Sequence, residues 1–177
     1  MPRYVAFLRG INLGSVNKIS MSRLRELTES LGYTDVVTYI NSGNLILTAT
    51  DPAATIEQRL TRAIADELGL TIDVAVRTPA RLAEIVAENP FPDGDPTYVT
   101  VAFLTKAVPA EAKRKLAEVA TEKEPYVFSG QEVYVHYLDG QARSKLAARF
   151  SDIVGVSATV RNLRTVTKVL ELAQRTE

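Results

Sequence analysis

In the first 77 residues the apolar pattern spells strand, helix, strand, strand, helix, strand, and the same order returns after residue 97. Residues 4–8 form a compact apolar run with aromatic content, which predicts a buried strand. Leu24, Leu27 and Leu31 then recur at helical spacing, with Ser20 placed to cap the start and Gly32 to stop the end. Residues 35–40 and 45–48 are β-rich. Between them stands Asn41-Ser42-Gly43-Asn44, whose Asn and Gly tolerate the positive φ of a tight hairpin. Asp51-Pro52 predicts a second helix with Asp51 as N-cap, Ile56, Leu60, Ile64 and Leu68 on its buried side, and Gly69 as its stop. Residues 71–77 complete the first set as a strand. In the second half the strands are expected at 98–104, 126–128, 133–138 and 158–160, and the helices at 110–120, 142–150 and 163–173.

The fold class that follows is α+β. Two ferredoxin-like β-α-β-β-α-β subdomains with antiparallel sheets and extra helices cover residues 1–77 and 97–177. Residues 78–96 bridge them as a helix and a loop with three prolines in the last eight positions.

This motif orders its strands 4-1-3-2, so the loop after the first strand and the hairpin tip lie at one end of the sheet. Arg9, Asn12, Asn17 and Lys18 should therefore sit beside Ser42 and Asn44. The same tracing in the second half brings Ser144 and Lys145, with Arg143 before them, towards Arg161 and Asn162 at the end of the last strand. Both groups stand at helix starts, where the backbone carries free N–H groups and partial positive charge. Cations and hydroxyls are found there instead of the acidic residues that such positions favour. Arg143 aside, these ten residues are the candidate site, and a small anionic or phosphorylated ligand is the expected partner. The plainer account is that Ser20 and Asn162 are N-caps and that Arg9 pairs with a carboxylate such as Glu29.

The totals restrict the chemistry. Lys plus Arg balance Asp plus Glu at 21 each, so any anion site has to be local. The chain has no cysteine and one histidine, His136, which excludes thiolate catalysis, sulfur-based zinc sites and a histidine-rich metal centre within one chain. Asp93 and Asp95 flank a glycine but lack the alternating oxygen ligands of a calcium loop, and no metal or cofactor is expected. No Ser-His-Asp set is visible, and Ser144 and Lys145 are adjacent where a lysine-activated serine needs converging side chains. Whether the protein is an enzyme is left open by these residues. The run at 4–8 is too short for a signal core or a membrane span, so a cytoplasmic location without membrane contact is expected.

The opening loop, Arg9-Gly-Ile-Asn-Leu-Gly-Ser-Val-Asn-Lys18, fails two named phosphate-loop spacings. A P-loop counted from Gly10 needs a glycine and a lysine where Ser15 and Val16 stand, and Gly10 and Gly14 are too far apart for a dinucleotide loop. RNA binding is the second reading, disfavoured by the zero net charge and by Tyr134 and Tyr137, which strand alternation sets on opposite faces. An oligomerisation or interaction module, including a homo-oligomer, is the third.

At these residues the sequence resembles a bacterial family known as domain of unknown function 1697. The resemblance is carried by Leu-Arg-Gly-Ile-Asn at 8–12, Asn17-Lys18, Met21, Thr38-Tyr39 and Ser42-Gly43-Asn44. It continues through Val76-Arg77, Asn89-Pro90-Phe91, Val133-Tyr134, Ser144-Lys145, Thr159, Arg161-Asn162 and Thr165-Val166. Ser15 stands where the family often has a second glycine, and Leu163-Arg164 where it often has Trp-Asn. The resemblance implies two α+β subdomains akin to ferredoxin-like units, and no established activity or substrate.

Overall fold

The structure, a computed structural model, describes residues 1–175. Its contacts fall into two compact units. The first is Met1–Ile85 with the end of the chain from Lys168 onwards, and the second is Val86–Thr167.

The first unit contains β1 (Arg3–Leu8), α1 (Met21–Ser30), β2 (Thr34–Tyr39), β3 (Asn44–Thr48), α2 (Ala53–Leu68), β4 (Val74–Arg77) and most of α3 (Pro79–Ala87). Its sheet is ordered β2-β3-β1-β4 and antiparallel throughout, the order that the sequence predicts. Register follows side-chain alternation. Ala6 lies opposite Leu45 and Val76, and with Tyr4, Leu8 and Leu47 it turns to the helix-covered face. There Leu24 and Leu27 of α1 and Ile56, Leu60 and Ile64 of α2 are fully buried. Each such side chain contributes roughly 1.5–3 kcal/mol by leaving water.

Both helix stops occur as expected, with Gly32 at φ +86° and Gly69 at φ +65°. One cap does not. Pro52 is the N-cap of α2 and offers no side-chain bond, while the Asp51 carboxylate accepts from the Tyr33 hydroxyl at 3.0 Å and Arg59 at 2.7 Å. The helix begins one residue later than a cap at Asp51 requires, and the charge-assisted bond to Arg59 holds the carboxylate elsewhere. That bond, then the one from Tyr33, keeps the Asp51 carboxyl below its ordinary range.

The second unit contains β5 (Val99–Leu104), α4 (Ala110–Val119), β6 (Tyr126–Ser129), β7 (Glu132–His136), α5 (Lys145–Val154), β8 (Ala158–Asn162) and the start of α6 (Leu163–Gln174). Its sheet repeats the first, ordered β6-β7-β5-β8 and antiparallel. Leu116, Leu146, Phe150 and Val154 pack on Ala102, Leu104, Val133 and Val135. The helix expected at 142–150 starts later and runs further. Ser144 caps it by accepting from the Ala147 N–H at 3.0 Å, and Gly155 closes it in the left-handed region. β8 likewise extends to Asn162 and passes directly into α6, where the Asn162 amide oxygen accepts from the Thr165 N–H at 2.9 Å. The chain is thus α+β with two ferredoxin-like sheets. Among the described residues no helix is long and apolar enough to cross a membrane.

Candidate functional site

At the end of β1 the loop and the hairpin meet, as the topology requires. The Asn12 amide group donates to the Asn41 carbonyl at 2.8 Å, across 29 residues of chain, and to the Ile19 carbonyl at 2.8 Å. The Asn12 amide oxygen accepts from the Ile19 N–H at 2.9 Å. Asn17 donates to the Gly10 carbonyl at 3.0 Å, and Asn44, fully buried, donates to the Tyr39 carbonyl at 2.8 Å and the Ser42 hydroxyl at 3.0 Å. Arg9 pairs with a carboxylate, that of Asp73 at 3.5 Å, in place of the Glu29 given as an example. The asparagines that could have held an anion therefore hold backbone. They can do so because Asn12 and Asn17 take positive φ, 53° and 48°, which aims their short amides back at the loop. What they leave open is a shallow hollow of about 550 Å³ lined by Asn12, Lys18, Ile19, Ser20, Met21 and Asn41. Lys18 is exposed and makes no ion pair among the described residues.

The second group is better enclosed. A hollow of about 730 Å³ opens at the start of α5. Arg143, Ser144 and Lys145 form one side, and Lys123, Glu124 and Asp139 the other. Sequence reasoning missed the last three. The signal was available, since β6 is antiparallel to β7, so the residues before Tyr126 must lie at the sheet end where β7 finishes. Glu124 is 7% exposed and fully engaged. One of its oxygens accepts from the Ser144 hydroxyl, and the other from the Thr121 N–H at 3.0 Å and the Thr121 hydroxyl at 3.3 Å. Ser144 is equally occupied, donating to Glu124 while accepting from Ala147, so it is not a lysine-activated nucleophile. Lys123 makes only an exposed pair with Asp139 at 3.5 Å. Arg143 and Lys145 are exposed and make no ion pair among the described residues. The first turn of α5 holds no acidic residue.

Arg161 and Asn162 share that sheet end but do not line the hollow. They lie on β8, with β5 and β7 between them and β6, whereas the Ser144–Glu124 bond ties the start of α5 to the loop before β6. Arg161 is partly buried, donates to the Val160 carbonyl at 2.9 Å, and has its guanidinium lowered to about 10 by desolvation, still protonated at neutral pH. Asn162 is engaged with Thr165. His136 ends β7 with its ring 5.5 Å from that of Phe91. Tyr134 and Tyr137 are 1% and 3% exposed, and neither ring offers a face on which a base could stack. Among the described residues no three His, Asp or Glu side chains group as metal ligands.

A family model described as "Protein of unknown function (DUF1697)" matches residues 1–134. No curated protein matches the chain. Among solved structures, the conserved bacterial protein SP0830 from Streptococcus pneumoniae superposes with a TM-score of 0.74 at 22% sequence identity, over 98% of this chain and 99% of its own. At that identity the likeness is one of fold.

Proposed function

Since the chain belongs to the DUF1697 family of proteins of unknown function, membership brings no activity with it, and we propose from the geometry that it binds a small phosphorylated anion at the start of α5. One observation carries this reading. Lys123, Arg143 and Lys145 surround a hollow of about 730 Å³ at a helix start with no acid in its first turn. A phosphate there would find two cations that make no ion pair among the described residues and a third in an exposed pair, an interaction worth roughly 0–1 kcal/mol. Glu124 and Asp139 also line the hollow, but the three cations outnumber these two carboxylates, and the Glu124 oxygens are taken up by Ser144 and Thr121. A zero net charge suits a ligand small enough to be held by one local cluster.

Thermal unfolding with inorganic phosphate, pyrophosphate and nucleoside monophosphates tests the reading, with sodium chloride at matched ionic strength as control. A ligand at about a hundred times its Kd stabilises by about 2.7 kcal/mol, which in a chain of this length raises Tm by several degrees. The shift should disappear in the Arg143→Ala/Lys145→Ala double variant and persist in Lys18→Ala. A panel that moves Tm no more than sodium chloride does, or a shift indifferent to the double variant, rejects the site.

A further inference from the structure

The first unit carries a feature that anion binding at α5 does not use. Leu13, Val16 and Ile40 are 64%, 56% and 49% exposed, the first two at the tip of the opening loop and the third on the neighbouring hairpin. Exposed aliphatic residues scattered singly need no explanation, but these three belong to two turns that are bonded together. Asn12 donates to Asn41, which joins the residue before Leu13 to the residue after Ile40. Within the loop the Val16 N–H donates to the Leu13 carbonyl at 2.9 Å and the Asn12 N–H to the Asn17 carbonyl at 3.0 Å, so the tip is a closed turn. Below it Asn17 is tied to Gly10.

The backbone is also held in costly conformations at this place. Ile40 has φ +48°, where a β-branched side chain crowds its own carbonyl, and Asn12 and Asn17 share the left-handed region. The hairpin is seated by Gly43, whose carbonyl accepts from the Leu8 N–H at 2.8 Å. The result is a fixed knob that presents aliphatic side chains to water, with Lys18 next to it in sequence as an exposed cation that makes no ion pair among the described residues. Asp73, at the foot of the loop, is joined to Arg9.

We infer that this knob is a docking surface for a protein segment that places aliphatic side chains next to a carboxylate. The aliphatic side chains pack on Leu13, Val16 and Ile40, and the carboxylate meets Lys18. Charge decides among the occupants. A second copy of the chain joined with Lys18 near a two-fold axis would set that cation against its own equivalent. A lipid surface would be offered three exposed aliphatic side chains and one cation without an ion pair among the described residues, which falls short of the two signals that stable membrane attachment needs. A short segment of opposite charge suits a patch of this size, and rigidity on one side lowers the ordering cost of binding.

Amide NMR of the isotope-labelled full chain tests this with three synthetic peptides: one alternating leucine and aspartate, its leucine–lysine counterpart, and a serine–aspartate peptide without aliphatic residues. The leucine–aspartate peptide should move the amide signals of Leu13, Val16, Lys18 and Ile40, and the other two should leave them in place. The Leu13→Ser/Val16→Ser variant, altered only at exposed positions, should weaken that binding at least tenfold. Lys18→Glu should transfer the preference to the leucine–lysine peptide, and Arg143→Ala/Lys145→Ala should change nothing. The proposal is overturned if no peptide moves these signals, if all three move them alike, or if the variants bind as the parent does. It is equally overturned if the same signals respond to protein concentration alone or to phosphatidylserine vesicles in place of the peptide.

Discussion

Gly43 shows how little freedom one residue can have at the end of a sheet. Its φ is +83°, and a Cβ built there would stand 2.6 Å from Ile11 Cδ1 and 2.9 Å from Leu8 Cβ. Both obstacles belong to buried side chains, and Leu8 Cβ cannot swing away without moving β1. Gly14, at φ +58°, meets nothing within 4 Å of its added Cβ. The pair separates conformational strain from crowding. Gly14→Ala should cost about 1 kcal/mol for the left-handed backbone alone, and Gly43→Ala roughly 2–4 kcal/mol once crowding of 1–3 kcal/mol is added. Urea denaturation of both variants measures the difference, and equal midpoints would show that the hairpin yields where the packing says it cannot.

At the scale of elements, the most informative contact is the one that joins the start of α5 to the loop before β6. Ser144→Ala removes an N-cap, typically worth about 1 kcal/mol, and takes one donor from a carboxylate that is 7% exposed, for about 1 kcal/mol more. A loss near 2 kcal/mol is expected, with Ser144→Thr restoring most of it because its hydroxyl can both donate and accept. An alanine variant as stable as the parent in urea would mean that Glu124 finds another donor. The anion response should survive in Ser144→Ala, since Lys123, Arg143 and Lys145, the cations that line the hollow, are untouched. This contact also marks where the sequence stops being legible. The order of elements was readable because period and turn chemistry are local properties, and so were Ser20, Gly32 and Gly69 at helix ends. The partners of polar loop residues were not. Asn12 reaches a carbonyl 29 residues away, Ser144 a carboxylate 20 residues away, and Asp51 turns from the first N–H groups of α2 to Tyr33 and to Arg59 further along that helix. Each choice is set by tertiary geometry, so residues that could equally ligate an anion or hold a turn were assigned to the site when their bonds are internal.

For the whole molecule, the notable property is that the first unit is discontinuous in sequence. Its opening 85 residues are completed by the end of the chain, where Val169, Leu170 and Ala173 of α6 are 0%, 8% and 3% exposed. Arg3 donates to the Ala173 carbonyl at 3.3 Å and also to that of Arg175, so the two ends are bonded as well as packed. An isolated fragment of residues 1–85 would lack the end of α6, where Val169 and Leu170 are buried side chains of a kind worth roughly 1.5–3 kcal/mol each. That sum is a large share of a domain stability of about 5–15 kcal/mol. The fragment should therefore melt well below the full chain, or populate a loosened state that binds hydrophobic dyes. A synthetic peptide spanning α6, added in trans, should raise its Tm in proportion to the logarithm of peptide concentration. Calorimetry on the fragment with and without the peptide decides the matter. A fragment that melts where the full chain does, with no response to the peptide, would mean that α6 contributes nothing to the unit it completes, and that the four strands, α1, α2 and the α3 residues up to Ile85 suffice.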